Sequence, residues 1–148
     1  MTGRGLLLLD TNVVVHVGRG KDLGRRIDQA YGLRGSPERP LISVVTVGEA
    51  LALGRQWHWG ETKMAALRDL LAEFVVVDIS HKDVLERYAD IRARDKSGGW
   101  NLSHNDTWIA ATAAVTDALL LTTDRDFGRV DASILRSIYI DPQTPGPA

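Results

Sequence analysis

LLLLDTNVVV, residues 6–15, sets a single carboxylate, Asp10, between four leucines and three valines. The leucines read as a strand buried on both faces. A carboxylate at the end of such a segment is costly unless something compensates it. Asp10 ends the strand and is placed to cap the helix that follows. Further apolar runs lie at 41–45, 74–79 and 118–122, with a weaker one at 137–140. Helical patterns lie between them, at 22–33, 46–56, 61–72, 81–96 and 103–116. Strands alternating with helices imply βαβ units, and so an α/β fold layered on a parallel sheet.

The chain has 148 residues, 44% hydrophobic and 25% charged, which suits one globular domain with a real core. That domain is expected over residues 1–140, with DPQTPGPA at 141–148 as a flexible tail. GLRGSPERP at 32–40 reads as a loop and SGGWN at 97–101 as a turn between helices. No cysteine is present, which excludes disulfides, thiolate metal sites and a cysteine nucleophile. Net charge is −1, so no global positive field marks a nucleic-acid binder, although local patches remain open. The apolar stretch before Asp10 is too short for a secretion signal or a membrane span, and a soluble, cytoplasmic protein is expected.

Four acids stand out: Asp10, Glu49, Asp106 and Asp124. Each has a local reading as a cap. Thr46-x-x-Glu49 and Ser103-x-x-Asp106 both match a capping box, and Asp124 follows LLLTT where it caps a turn through Phe127. Their shared position says more. In a parallel α/β sheet, strand C-termini and helix N-termini lie on one edge, where such folds bind ligands. Asp10 and Asp124 end strands, while Glu49 and Asp106 begin helices, so all four face that edge.

Carboxylates gathered this way repel one another. Helix N-termini relieve part of the repulsion, and a divalent cation relieves far more. All-oxygen ligands suit Mg²⁺ or Mn²⁺ rather than zinc. An ion there activates water and stabilises charge on a phosphoryl oxygen, which fits hydrolysis of a phosphodiester. Arg19, Lys21, Arg25, Arg26, Arg92, Arg94, Lys96, Arg125 and Arg129 flank these segments and suit a polyanionic substrate.

Other chemistries fit less well. A haloacid-dehalogenase-like phosphatase needs a second Asp two residues after the first, where this chain has Asn12. A receiver domain needs a lysine near a later strand, and VVVDIS and LLLTTD offer none. The glycine fingerprint of dinucleotide binding is missing after the first strand. A non-catalytic binding module on the same scaffold has no need for all four acids. The four histidines show no zinc spacing. His104 lies near Asp106 and is a candidate substrate contact or a solvated helix-start residue. Trp57 and Trp59 in QWHWGE read as core residues or as a surface for a partner. Trp108 and Ile109 read as core.

LLLLDTNVVV, SVVTVGEALAL at 43–53, NLSHNDTWIAATA at 101–113 and LLLTTDRDF at 119–127 together resemble a PIN-domain ribonuclease, nearest to the VapC-type toxins of bacterial toxin–antitoxin pairs. The order and spacing of the four segments carry the likeness, which spans about 6–140. It implies a three-layer α/β/α sandwich with a central parallel sheet of four or five strands. It also implies an Mg²⁺- or Mn²⁺-dependent endoribonuclease whose metal ligands are Asp10, Glu49, Asp106 and a fourth acid. Asp124 is the expected fourth acid, with Asp126 its rival in the same turn. Thr11 and Thr123 are expected to orient carboxylates or waters. Asn12 stands where relatives often have serine. Homodimerisation and inhibition by a small antitoxin protein follow from the resemblance alone. A housekeeping RNA-processing nuclease of the same family is the alternative role.

Overall fold

The computed structural model describes residues 5–143. Five strands form one sheet: β1 (Leu7–Leu9), β2 (Leu41–Ser43), β3 (Val75–Val77), β4 (Leu119–Thr122) and β5 (Ser137–Tyr139). Six helices join them: α1 (Thr11–Arg19), α2 (Asp22–Tyr31), α3 (Val44–Gln56), α4 (Glu61–Ala72), α5 (Lys82–Gly98) and α6 (His104–Thr116), with a 3-10 turn at Arg125–Arg129. The sheet is parallel throughout, in the order β3-β2-β1-β4-β5.

Alternation along the strands divides the core into two layers. Leu7, Leu9, Ile42 and Leu121 pack with Val13, Val14, Val17, Ile27, Leu67 and Leu70 from α1, α2 and α4. Leu8, Leu41 and Leu120 face the other way, onto Val84, Ile91, Ile109, Ala110 and Phe127. Helices therefore cover both faces of the sheet. That is the α/β/α sandwich expected, with five strands in its sheet.

The chain leaves the central strand β1 for β2 and β3 on one side, then returns to β4 and β5 on the other. The reversal falls between β1 and β4, whose residues Leu7, Leu8 and Leu9 pair with Leu119, Leu120 and Leu121. Crossover chains diverge there and leave a crevice at the strand C-termini. No helix among the described residues is long and apolar enough to cross a membrane.

The helix expected after Asp10 forms as α1, with Val13, Val14, Val15 and Val17 buried and Arg19 at its end. Several boundaries differ from the sequence reading. β2 stops at Ser43 because its hydroxyl accepts the Val45 N–H at 3.1 Å, and Val44 and Val45 open α3. A cap here overrides the β preference of two valines. β3 is not a buried strand: it lies at the sheet edge, with Val75 42% and Val76 47% exposed. α5 runs on to Gly98, which shortens the expected turn, and Gly99 closes it at φ 68°. Of the expected tail, 144–148 lie outside the described residues.

Candidate active site

Asp10 follows β1 directly and opens α1. Its Oδ1 accepts the Thr11 N–H at 2.7 Å, and its Oδ2 accepts the Thr122 hydroxyl at 2.7 Å. The same Thr122 oxygen accepts the Asp124 N–H at 2.9 Å. One buried threonine at the end of β4 thus ties both strand-end acids together across the β1–β4 pair. The sequence reading assigned that kind of role to Thr123; the structure gives it to Thr122. Asp124 in turn caps the 3-10 turn, accepting the Asp126 N–H at 2.8 Å.

Glu49 is held from two sides. Its Oε1 accepts the Thr11 hydroxyl at 2.6 Å, and its Oε2 accepts the Asn105 amide at 2.9 Å. Thr11 has one hydroxyl proton, spent on Glu49, so the Thr46 hydroxyl 3.1 Å away donates to Thr11. The proposed Thr46-x-x-Glu49 capping box is therefore not formed. Ser43 caps α3, and Glu49 lies in the second turn of that helix, free of any capping duty.

Asp106 begins α6, where Ser103 accepts its N–H at 3.0 Å as the capping reading expected. The placement of that helix start depends on the chain before it. The Asp95 carboxylate accepts the N–H groups of Asn101 and Leu102 at 2.7 and 3.0 Å. Arg92 meanwhile donates to the Leu102 carbonyl at 2.8 Å. These contacts aim the N-terminus of α6 at the sheet edge.

The four predicted acids meet at one crevice. Asp10, Glu49, Asp106 and Asp124 line a cavity of about 330 Å³ together with Thr11, Asn12, Ala52, Leu53 and Gln56. Asp126 is not among the lining residues; its carboxylate lies 3.6 Å from Arg129 and still adds its charge at Asp106. Burial pushes the Asp10 carboxyl up to about 7, with the Asp106 and Asp124 charges adding to it against the Thr122 and Thr11 bonds. Asp106 rises to about 6, first from burial, then from the charges of Asp124, Glu49 and Asp126. Two acids destabilised as anions, facing two more carboxylates, make a region of strong negative potential.

The chemistry of this donor set fits a hard divalent cation: the four acids offer carboxylate oxygens, and among the described residues none of the four forms an ion pair. Among the described residues, no three acids are drawn together tightly enough to hold an ion as they stand. Mutual repulsion and the tethering of Glu49 to Thr11 and Asn105 both oppose such closure.

Residues outside the acids are sorted differently from the sequence reading. Arg92 serves the α6 loop, Arg94 pairs with Asp90, Arg26 pairs with Asp22, and Arg25 donates to the Gly20 carbonyl. These arginines have structural partners and are not aimed as a set at the crevice. His104 accepts or donates one hydrogen bond with the Tyr88 hydroxyl at 2.7 Å, and Tyr88 stacks on Trp108 at 3.8 Å. Trp108 is partly buried and packs against the core, and Ile109 lies within it. Trp59 packs on the core, and Trp57 remains 41% exposed. Asn105 and Thr122 were not singled out from sequence, and Thr46 was read only as a helix cap. Asn105, next to Asp106 at a helix start, carried the one available hint.

Comparison with known proteins agrees with this geometry. The chain matches the PIN domain family over residues 7–133. It is 28% identical over 130 residues to ribonuclease VapC1 of Haemophilus influenzae strain R2866, covering 84% of this chain and 92% of that protein. Its fold resembles VapBC2 from Rickettsia felis bound to a promoter DNA fragment, with TM-score 0.74, 20% identity, and 90% and 98% of the two chains covered. It also resembles VapBC-5 from Mycobacterium tuberculosis, of the VapBC family of toxin–antitoxin systems, with TM-score 0.66, 25% identity, and 92% and 99% covered. The strand order, the acids at the β1–β4 switch point and the match over most of the length agree: this chain belongs to the PIN domain family.

Proposed function

We propose that this chain is a metal-dependent endoribonuclease, its nuclease domain spanning 1–140, and that it acts in the cytoplasm as the toxin of a toxin–antitoxin pair. The observation that carries the reading is the crevice itself. Asp10, Glu49, Asp106 and Asp124 converge from two strand ends and two helix starts, and burial with like charge holds Asp10 and Asp106 well above ordinary carboxylate values. The likeness to ribonuclease VapC1 and to the VapBC-5 system supports RNA as substrate and a small antitoxin as partner. A homodimer is part of the same proposal.

Asp10 and Asp106 would hold Mg²⁺ or Mn²⁺, with Glu49 and Asp124 completing the site. When bound, the ion supplies charge neutralisation at the phosphoryl oxygens and acidifies water. The chain's own residues do the rest. Thr11 and Asn105 fix both Glu49 oxygens, leaving a lone pair on each to accept a proton from an attacking water. Thr122 keeps Asp10 pointing into the crevice. Water would add to phosphorus as its proton passes to Glu49, one P–O ester bond would break, and the leaving oxygen would take a proton from solvent water.

Asp10→Asn and Asp106→Asn should each abolish cleavage of RNA while leaving the circular dichroism spectrum unchanged. Excess EDTA should do the same to the wild-type protein. Undiminished cleavage in any of these three cases would overturn the mechanism. The toxin role is tested separately: induction in bacteria should arrest growth with the wild type and not with Asp10→Asn. Growth unaffected by either protein would favour a housekeeping RNA-processing role.

A further inference from the structure

The crevice does not end at the acids. Its wall on α3 is formed by Glu49, Ala52, Leu53 and Gln56, one face of that helix. Trp57 continues the row that runs through Glu49 and Leu53 at intervals of four residues. Its N–H still donates to the Leu53 carbonyl, at 2.9 Å, so the helical spacing holds to that point. The opposite wall begins at Asn12 on α1, and the helix positions after Asn12 lead to His16 and Arg19. The two walls meet where the Arg19 guanidinium lies over the Trp57 indole, 4.3 Å from the ring centre. A second cation, Lys63, lies 4.2 Å from the ring centre of Trp59, and the two indoles are 5.7 Å apart.

This end of the cleft differs in kind from the acidic end. It combines a partly exposed indole, Trp57 at 41%, with positive charge, the pairing that single-stranded nucleic acids use for base stacking and backbone attraction. Eight residues of α3 separate Glu49 from Trp57, about 12 Å along the helix. That distance places the indole beyond the nucleotide flanking the reacting phosphate. We infer that Trp57 and Arg19 form a subsite for the substrate strand: a base stacks on the exposed part of the Trp57 indole, and Arg19 contacts the adjoining phosphate. Trp59, packed on the core, backs this platform. Because stacking is tolerant of base identity, the subsite contributes affinity and register rather than sequence choice. The inference rests on the nuclease reading for its substrate, single-stranded RNA. It does not depend on which acids bind metal.

The test measures binding without turnover. A fluorescein-labelled oligoadenylate of eight nucleotides is titrated with the full chain in calcium chloride in place of magnesium, and anisotropy is read. Trp57→Ala should weaken binding about fivefold or more, as expected for losing one stacked base. Trp57→Phe should stay within about threefold of wild type, because it keeps a stacking face. Wild-type indole fluorescence should be quenched on RNA addition, and less so in Trp57→Ala. Equal affinity of wild type and Trp57→Ala overturns the inference, as does no RNA binding by the wild type. A changed molar mass of Trp57→Ala in light scattering also overturns it, since it would make this surface a contact with a second copy. Cleavage of the same RNA in magnesium is scored apart. Cleavage with Trp57-independent binding refutes only the subsite, whereas Trp57-dependent binding without cleavage refutes only the nuclease reading.

Discussion

Asp10→Asn should change the stability of the metal-free protein in opposite directions at low and high pH. The wild-type carboxyl titrates near 7 in the fold and at 3.8 in an unstructured chain, because burial and the Asp106 and Asp124 charges disfavour its anion. Between those values the folded state holds a proton that the unfolded state has released. Stability therefore falls as pH rises through this window and levels off above about 7. From about pH 5 to about pH 8 the loss from this one group is about 3 kcal/mol, two pKa units at 1.36 kcal/mol each. Asparagine cannot titrate, so the variant escapes that loss. It carries a fixed cost instead. Its amide nitrogen replaces the oxygen that accepts the Thr122 hydroxyl, and the Thr122 oxygen already accepts the Asp124 N–H. One strained or broken hydrogen bond there costs about 1 kcal/mol. The variant should be less stable than wild type by about 1 kcal/mol below about pH 4, cross it between about pH 4 and 5, and be more stable by about 3 kcal/mol near pH 8. Urea unfolding of metal-stripped protein at several pH values measures this directly. Stability profiles that run parallel, with no crossing, would refute the reasoning. Magnesium added near pH 8 should raise the wild-type midpoint and leave the variant's almost unmoved.

Two further perturbations test the scaffold around the acids. Asn105→Ala removes one of the two bonds that fix Glu49, from an exposed position. RNA cleavage should drop about tenfold and half-saturation by magnesium should rise, with unfolding stability nearly unchanged; an unaltered rate and magnesium dependence would show that Asn105 does not position Glu49. Gly24→Ala puts a Cβ against the backbone carbonyl of His16, where α2 crosses α1, and neither backbone can yield locally. Destabilisation of about 1–3 kcal/mol is expected in urea unfolding. A change within about 0.5 kcal/mol would mean the two helices separate easily.

The fold was legible because the pattern of its strands is simple. Runs such as 7–9 and 120–122 are buried on both faces, and helical periods fill the gaps between them. From that order alone, strand ends and helix starts share an edge, and Asp10, Glu49, Asp106 and Asp124 all fall on it. The side chains between them were harder to read. Ser43 ends β2 with a local hydrogen bond that outweighs the β preference of Val44 and Val45, so the capping role assigned to Thr46 was misplaced by one helical turn. Thr122 and Asn105 act across 112 and 56 residues of chain, on Asp10 and Glu49. Contacts that distant in sequence leave no periodic signal. The arginines show the same limit. Arg92 and Arg94 read from sequence as phosphate ligands, and the pattern gave no sign that Arg92 would also hold the Leu102 carbonyl and Arg94 the Asp90 carboxylate.

The strand order has a bearing on how the molecule breathes. β1 and β4 lie inside the sheet with partners on both sides, while β3 lies at its margin with exposed valines. Opening fluctuations start where contacts are sparse, so the β3 margin can fray and reclose without disturbing the central pair. Asp10 and Asp124 hang from that pair, and the Asp10 N–H is itself held by the Leu121 carbonyl at 3.0 Å. The Asp10 amide should therefore be among the slowest to exchange hydrogen with solvent. Sequence drift at the margin would then change the lifetime of the fold long before it changed the aim of the acids.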